Sequence, residues 1–534
     1  MTSRATIMAG VTLLILAAPR LGGTEPAPPP TPPRAAAPAG ETAAKQTPHP
    51  TAVKTDHTIQ IGGHPVPYSA VVGTVILRDE KREPSASFGY VAYLRKGIQD
   101  PRSRPLTFAF NGGPGASSIW LHMGALGPRR IRTADAQATP PPPYEVVDNA
   151  FSLLDVSDLV LIDPVGTGVS HAIEPHADKE FWGVDPDIRS VSAFIVQYVT
   201  DHDRWLSPKY LLGESYGTTR AAGVVGRLQL EHGMAFNGVI LVSLALDIGA
   251  IFERPSGDDL PYVFHLPTLA AVAWYHHALP ERPERLEPWL DEVRAYAVGP
   301  YLLALMKGDR LSTEERDTVA AQLHRFTGLP VAFIAQANLR VGSRQFAQEL
   351  LRERRVTLGQ LDGRFTGLTP DPLATNAAYD PADSAVSAAF TASFKDYYHR
   401  ELGASRDRPY VVGANVWETW NFTHTVPGPG GGPPQAVVNT GADLAAAFVA
   451  NPGLQVLALN GLFDLVTPFA GAEHSLSHLG LGPTTASRIL MRYYEAGHMM
   501  YLHEPTLARV KADIAEFIAA TSAPVTSPAR QPKP

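Results

Sequence analysis

Apolar residues recur along this chain in two rhythms. Residues 57–61 alternate (His57-Thr58-Ile59-Gln60-Ile61), Gly62-Gly63 turns, and β-rich runs follow at 68–77 and 87–94. That pattern predicts an antiparallel entry into a sheet. From residue 106 the runs become short and continuous, and each ends in a polar or glycine-bearing loop. Residues 106–110 lead into Asn111-Gly112-Gly113-Pro114-Gly115, 158–162 into Asp163, and 210–212 into Gly213-Glu214-Ser215-Tyr216-Gly217. Likewise 239–246 lead into Asp247, 454–459 into Asn460-Gly461-Leu462-Phe463-Asp464, and 489–494 into Glu495-Ala496-Gly497-His498. Continuous apolar strands separated by helical stretches predict an α/β fold, a mainly parallel central sheet with helices on both faces. Sites in such sheets gather at the carboxyl ends of the strands, where every one of these loops lies.

Residues 251–421 break the rhythm with helix-like segments at 266–279, 285–297, 313–325 and 385–402, punctuated by Pro and Gly. Because strand-like runs resume at 454, this stretch reads as a helical cap inserted between core segments 56–250 and 422–520. Residues 521–534 read as a tail. At the other end, Arg4 precedes an apolar stretch, 7–18, too short to span a bilayer. We expect 1–23 to be a removed signal peptide and 24–55, rich in Pro, Ala and Thr, to be an extended linker.

Composition narrows the chemistry. The 534 residues are 44% apolar and 18% charged, enough for a large core. Absence of cysteine removes disulfides, thiolate metal sites and a thiol nucleophile. Together with export, it points to a bacterial periplasm or exterior, since large secreted eukaryotic enzymes usually carry disulfides. The net charge of -7 comes with no basic stripe, so no nucleic-acid partner is expected, and no membrane contact beyond the signal peptide. His498, His503 and Glu504 lack the spacing of a zinc helix, and Gly166-Thr167-Gly168 lacks the third glycine of a dinucleotide fingerprint. No metal or cofactor is called for.

Strand, Gly-X-Ser-X-Gly, then a helix over 218–232 stopped by Gly233 is the context of a nucleophile elbow at Ser215. A serine hydroxyl needs a base, and the base an acid that fixes its tautomer. Downstream of Ser215, Asp464 and His498 each follow a buried run, in the order Ser, acid, His. Asp247 and Asp163 compete as the acid, but only Asp464 lies between the cap and His498. A tetrahedral intermediate would need two backbone N–H donors, one from Tyr216 and one from the glycine loop, where Gly112 and Gly113 permit close approach.

Five segments in order resemble the serine carboxypeptidase family: Asn111 to Ser118, Asp163 to Ser170, Gly213 to Gly217, Asn460 to Asp464, and Gly497-His498-Met499. The resemblance runs over about 75–520 and is weakest in the cap. It implies an α/β-hydrolase that removes C-terminal residues from peptides, with Ser215, Asp464 and His498 as the triad. Gly113 and Tyr216 would then form the oxyanion hole, and Asn111, Gly112 and Glu214 would contact substrate, Asn111 and Glu214 through its terminal carboxylate. Two positions depart from the pattern. The family's second carboxylate-binding glutamate is Ala125, and its cysteine after the glycine loop is Ala116. Losing that glutamate implies relaxed exopeptidase preference, or a replacement such as Arg or His from the cap. An esterase or acyltransferase on the same scaffold, and a non-catalytic binding protein, are the competing readings; the substrate is a peptide or a small acyl compound.

Overall fold

The computed structural model describes residues 48–254, 257–426 and 432–522. The expected signal peptide lies outside these residues, as do the linker before residue 48 and the tail after 522. Ordered strand begins at Ala52, inside the stretch whose composition reads as linker.

Nine strands make the main path of the central sheet: β1 (Ala52–Ile61), β2 (His64–Arg78), β3 (Pro84–Arg95), β4 (Leu106–Phe110), β5 (Asp158–Ile162), β6 (Lys209–Glu214), β7 (Gly238–Val242), β8 (Gln455–Gly461) and β9 (Ile489–Tyr494). Their spatial order is β1-β2-β3-β5-β4-β6-β7-β8-β9. The first three are an antiparallel meander, and β3 meets β5 antiparallel. Every pairing from β5 to β9 is parallel. The β1–β2 hairpin turns on Gly62 and Gly63, both with positive φ, the conformation a two-residue primed turn requires. This α/β-hydrolase architecture agrees with the alternating and continuous runs of the sequence.

Both faces of the parallel strands are buried, and alternate residues divide between two apolar clusters. Phe108, Phe110, Leu211, Val239 and Leu241 pack with helices α1 (Val184–Asp201) and α2 (Tyr216–His232). Ala109, Leu212, Ile240, Val242 and Leu459 pack on the opposite face with α4 (Pro381–Arg400) and α6 (Glu504–Ser522). Helix α4 therefore covers the sheet, although its sequence lies within the stretch read as cap.

The rest of that stretch has a core of its own, built around α3 (Leu260–Tyr275) and the short helices that follow. Leu462, Phe463, Leu465 and Phe469, from the loop after β8, belong to this third cluster. The returning segment is held at His424, whose ring bridges Asp185 at the start of α1 and Asp443 in α5 (Gly441–Ala450). No described helix is long and apolar enough to cross a membrane.

Candidate active site

Ser215 sits between β6 and α2 at φ 61° and ψ −130°, a strained turn that only a well-braced backbone holds. The bracing comes from glycines whose missing side chains let backbones touch. A Cβ on Gly112 would lie 2.5 Å from Tyr216 N and 2.7 Å from Glu214 O, and one on Gly217 would lie 2.9 Å from Phe110 O. The glycine loop is thus pressed directly onto the elbow. Tyr216 N–H opens α2 and, like all first-turn amides, has no partner within its helix. Gly113, next to Gly112, takes φ 99°.

Asp464 and His498 are joined. His498 Nδ1 and Asp464 Oδ2 are 2.7 Å apart, with both side chains buried. Thr467 Oγ1 donates to the same carboxylate oxygen at 2.6 Å, and the Val466 and Thr467 amides donate to Oδ1 at 2.9 Å. The acceptor that faces the ring is therefore fixed in place. With Asp464 on Nδ1, the imidazole presents Nε2 as its free nitrogen, the tautomer that can accept a proton. Burial disfavours the charged ring, but Asp464 beside it, with Glu214 further off, outweighs this and raises its pKa.

The backbones of Ser215 and His498 are both tied to the end of β7. Ser215 N donates to Val242 O at 2.9 Å, and the next residue, Ser243, donates from Oγ to His498 O at 2.8 Å. Two consecutive residues thus hold the backbones of the serine and the histidine at one sheet edge. The side chains themselves share no hydrogen bond in this structure. In serine hydrolases the corresponding serine–histidine contact is often long without substrate and tightens when substrate binds.

Glu214 and Asn111 form a second polar pair behind the serine. Asn111 Nδ2 donates to Glu214 Oε1 at 2.9 Å, while its Oδ1 accepts from Leu121 N. Burial pushes Glu214 up to about 7. Arg220 ties the assembly to α1: its guanidinium donates to Asp187 and to Asn111 O, both at 2.7 Å. Asp247 lies apart from His498, with Asn439 and Gly249 as its partners. Asp163 binds Ser118 N and Tyr410 Oη and makes no contact with the ring. Both competing acids are structural.

Residues 80–228 match the serine carboxypeptidase family, a segment that contains the glycine loop, Asp163 and the elbow. Over that segment the chain is similar to the serine carboxypeptidases. Serine carboxypeptidase-like 19 of Arabidopsis thaliana is 27% identical over 171 residues, 32% of this chain and 34% of that protein. Serine carboxypeptidase-like 16 of the same plant is 27% identical over 157 residues, 28% of this chain and 33% of that protein. The chain thus spans about a third of the length of the curated relatives it matches. Among solved structures, the prohormone-processing carboxypeptidase Kex1(delta)p of Saccharomyces cerevisiae superposes with a TM-score of 0.53 at 14% identity, covering 85% of this chain and 91% of that one. That likeness establishes the shared α/β-hydrolase fold. Asp464 and His498 lie outside the segment matched to the serine carboxypeptidase family, so their pairing rests on the geometry above.

Sequence reasoning missed the residues that brace this site from a distance. His498 N donates to Leu361 O at 2.6 Å and Gly497 N to Asp362 Oδ2 at 3.1 Å. The same strap, residues 359–365, also bonds to both neighbours of Asp464: Gly363 N donates to Phe463 O, and Leu465 N to Gln360 O. Nothing periodic marks such a strap in sequence.

Proposed function

We propose that this protein is an exported serine carboxypeptidase, hydrolysing C-terminal peptide bonds through Ser215, His498 and Asp464. The observation that carries this reading is the buried His498–Asp464 pair, tied through Ser243 to the strand end whose preceding residue, Val242, holds a serine in an elbow. Ser215 Oγ attacks the scissile carbonyl as His498 Nε2 takes its proton. Asp464 keeps the ring in the required tautomer and stabilises the imidazolium. The oxyanion accepts hydrogen bonds from the N–H groups of Gly113 and Tyr216, with the α2 dipole behind them. Collapse breaks the C–N bond, and the leaving amine receives the proton from His498. Water then attacks the acyl-enzyme by the same route in reverse, releasing Ser215 and the shortened peptide. Asn111 and Glu214 receive the substrate's terminal carboxylate. Export rests on the apolar stretch near the N-terminus.

Ser215→Ala should lower turnover by about 10⁶-fold and leave folding intact. Hydrolysis by that variant at a rate close to the parent, or failure of a fluorophosphonate to label Ser215 in the parent, ends the assignment. Ala125, where the resemblance leads one to expect a carboxyl, favours a second reading in which an ester or another acyl donor is preferred. Comparing an acyl-dipeptide with its ester analogue decides between the two.

A further inference from the structure

Among the buried polar atoms near the elbow that have no hydrogen-bond partner are Glu214 Oε2 and the Tyr501 hydroxyl. They are neighbours. The Tyr501 hydroxyl lies beside Glu214 and Asn111 without reaching hydrogen-bond geometry with either. Tyr501 is only 2% exposed, and a Cβ on Gly124 would overlap its ring, so the ring rests against the residue next to Ala125. The turn Met500–Leu502 that carries it is held by Leu502 N to Met499 O and by the Thr133 hydroxyl on Leu502 O. Unpartnered buried polar atoms are destabilising and rare in native proteins, and a carboxyl oxygen and a hydroxyl left so in one neighbourhood can share a ligand.

We propose that Tyr501 is a carboxylate-recognising residue, its hydroxyl donating to the terminal carboxylate of the substrate alongside Glu214. This deepens the carboxypeptidase reading and rests on it. The donor chemistry suits an anion. Asn111 Nδ2 already occupies Glu214 Oε1, so in the neutral acid the proton sits on Oε2, the orphaned oxygen. Burial, with the nearby Tyr501, Asn111, His498 and Asp464 charges and dipoles, leaves Glu214 titrating at about 7. Below that pH, Glu214 and Tyr501 present two O–H donors and no negative charge. One carboxyl and one phenol thereby do what a pair of carboxyls would do, and the alanine at 125 costs no recognition. The replacement comes from the histidine loop, not from an Arg or His of the cap.

The test is direct binding by calorimetry at about pH 5.5, below the Glu214 titration. The probes are N-acetylated amino acids with small, aromatic, acidic and basic side chains, each as free acid and as amide. Ser215→Ala should bind at least one free acid more tightly than its amide. Adding Tyr501→Phe should weaken that acid about tenfold or more, as loss of a hydrogen bond to a charged group does, and change the amide less than about twofold. The melting temperature should not fall, because the hydroxyl removed has no partner. An acid affinity unchanged by Tyr501→Phe, an equal loss for acid and amide, or no preference for any acid in the Ser215→Ala parent would each overturn the proposal. Turnover and fluorophosphonate labelling of the wild type report separately on the hydrolase reading, since binding to the alanine variant needs no chemistry.

Discussion

At Gly112 the glycine loop and the elbow are pressed backbone to backbone. A Cβ there would meet three backbone atoms of the elbow, and none of them can swing away as a side chain would. Gly112→Ala should therefore displace either the glycine loop or the elbow by a few tenths of an ångström or more. Misplacement on the order of 1 Å costs about 10²-fold in rate, and overpacking a dense site costs about 1–3 kcal/mol. A kcat lowered at least tenfold, with a fall in melting temperature, is the expected result; a variant with parental kcat would show that the close approach is not required. Glycine at this position was legible from sequence because the Gly-Gly-Pro-Gly loop follows a buried run. The orphaned oxygen on Glu214 was not, because nothing in Gly-Glu-Ser says which of its neighbours will be buried unpaired.

Among the elements, the strap at 359–365 fixes the chain around Asp464 and His498, the proposed acid and base. It holds the chain on both sides of Asp464 and at His498, and Asp380 in turn accepts from the Gln360 and Leu361 amides. Asp362 accepts from Gly497 N and binds Arg364, both buried. Asp362→Ala removes the acceptor and leaves Arg364, among the described residues, with the partly exposed Asp135 as its counter-charge. The expected cost is about 3 kcal/mol in stability and about tenfold or more in kcat with little change in KM; Asp362→Asn, which keeps an acceptor, should recover most of the kcat. Equal loss in both variants would mean that the charge, not the aim of the histidine, matters. The strands that carry Asp464 and His498 were readable because each is a short apolar run stopped by a polar loop. The strap was not, since its contacts are one-off meetings between residues far apart in the chain. Nor was the start of β1, an exposed edge whose residues Ala52 to Thr55 read like the linker composition before them.

For the whole molecule, His424 is a clasp between the segment returning from the insertion and the helices on one face of the sheet. Burial disfavours its charged form, but Asp185 and Asp443 outweigh this and push it up to about 9. The folded value lies above the ordinary one of about 6.5, so the contribution to stability is complete below about 6.5 and is lost as pH rises through about 9. His424→Gln should cost about 3 kcal/mol in mildly acidic solution, and urea titrations at rising pH should show the gap between variant and wild type narrowing by more than half by about pH 10. A gap that stays constant would mean that shape, not charge, is what the ring contributes.

The third apolar cluster joins Leu462, Phe463, Leu465 and Phe469 to the helices of the insertion, so the loop bearing Asp464 is packed as part of that body. An engineer who exchanges the insertion to alter which substrates fit would also reset the aim of the proton relay. On the proposed reading, selectivity and chemical competence would be inherited as one module, and grafted variants would need the flanks of Asp464 carried along with the donor segment.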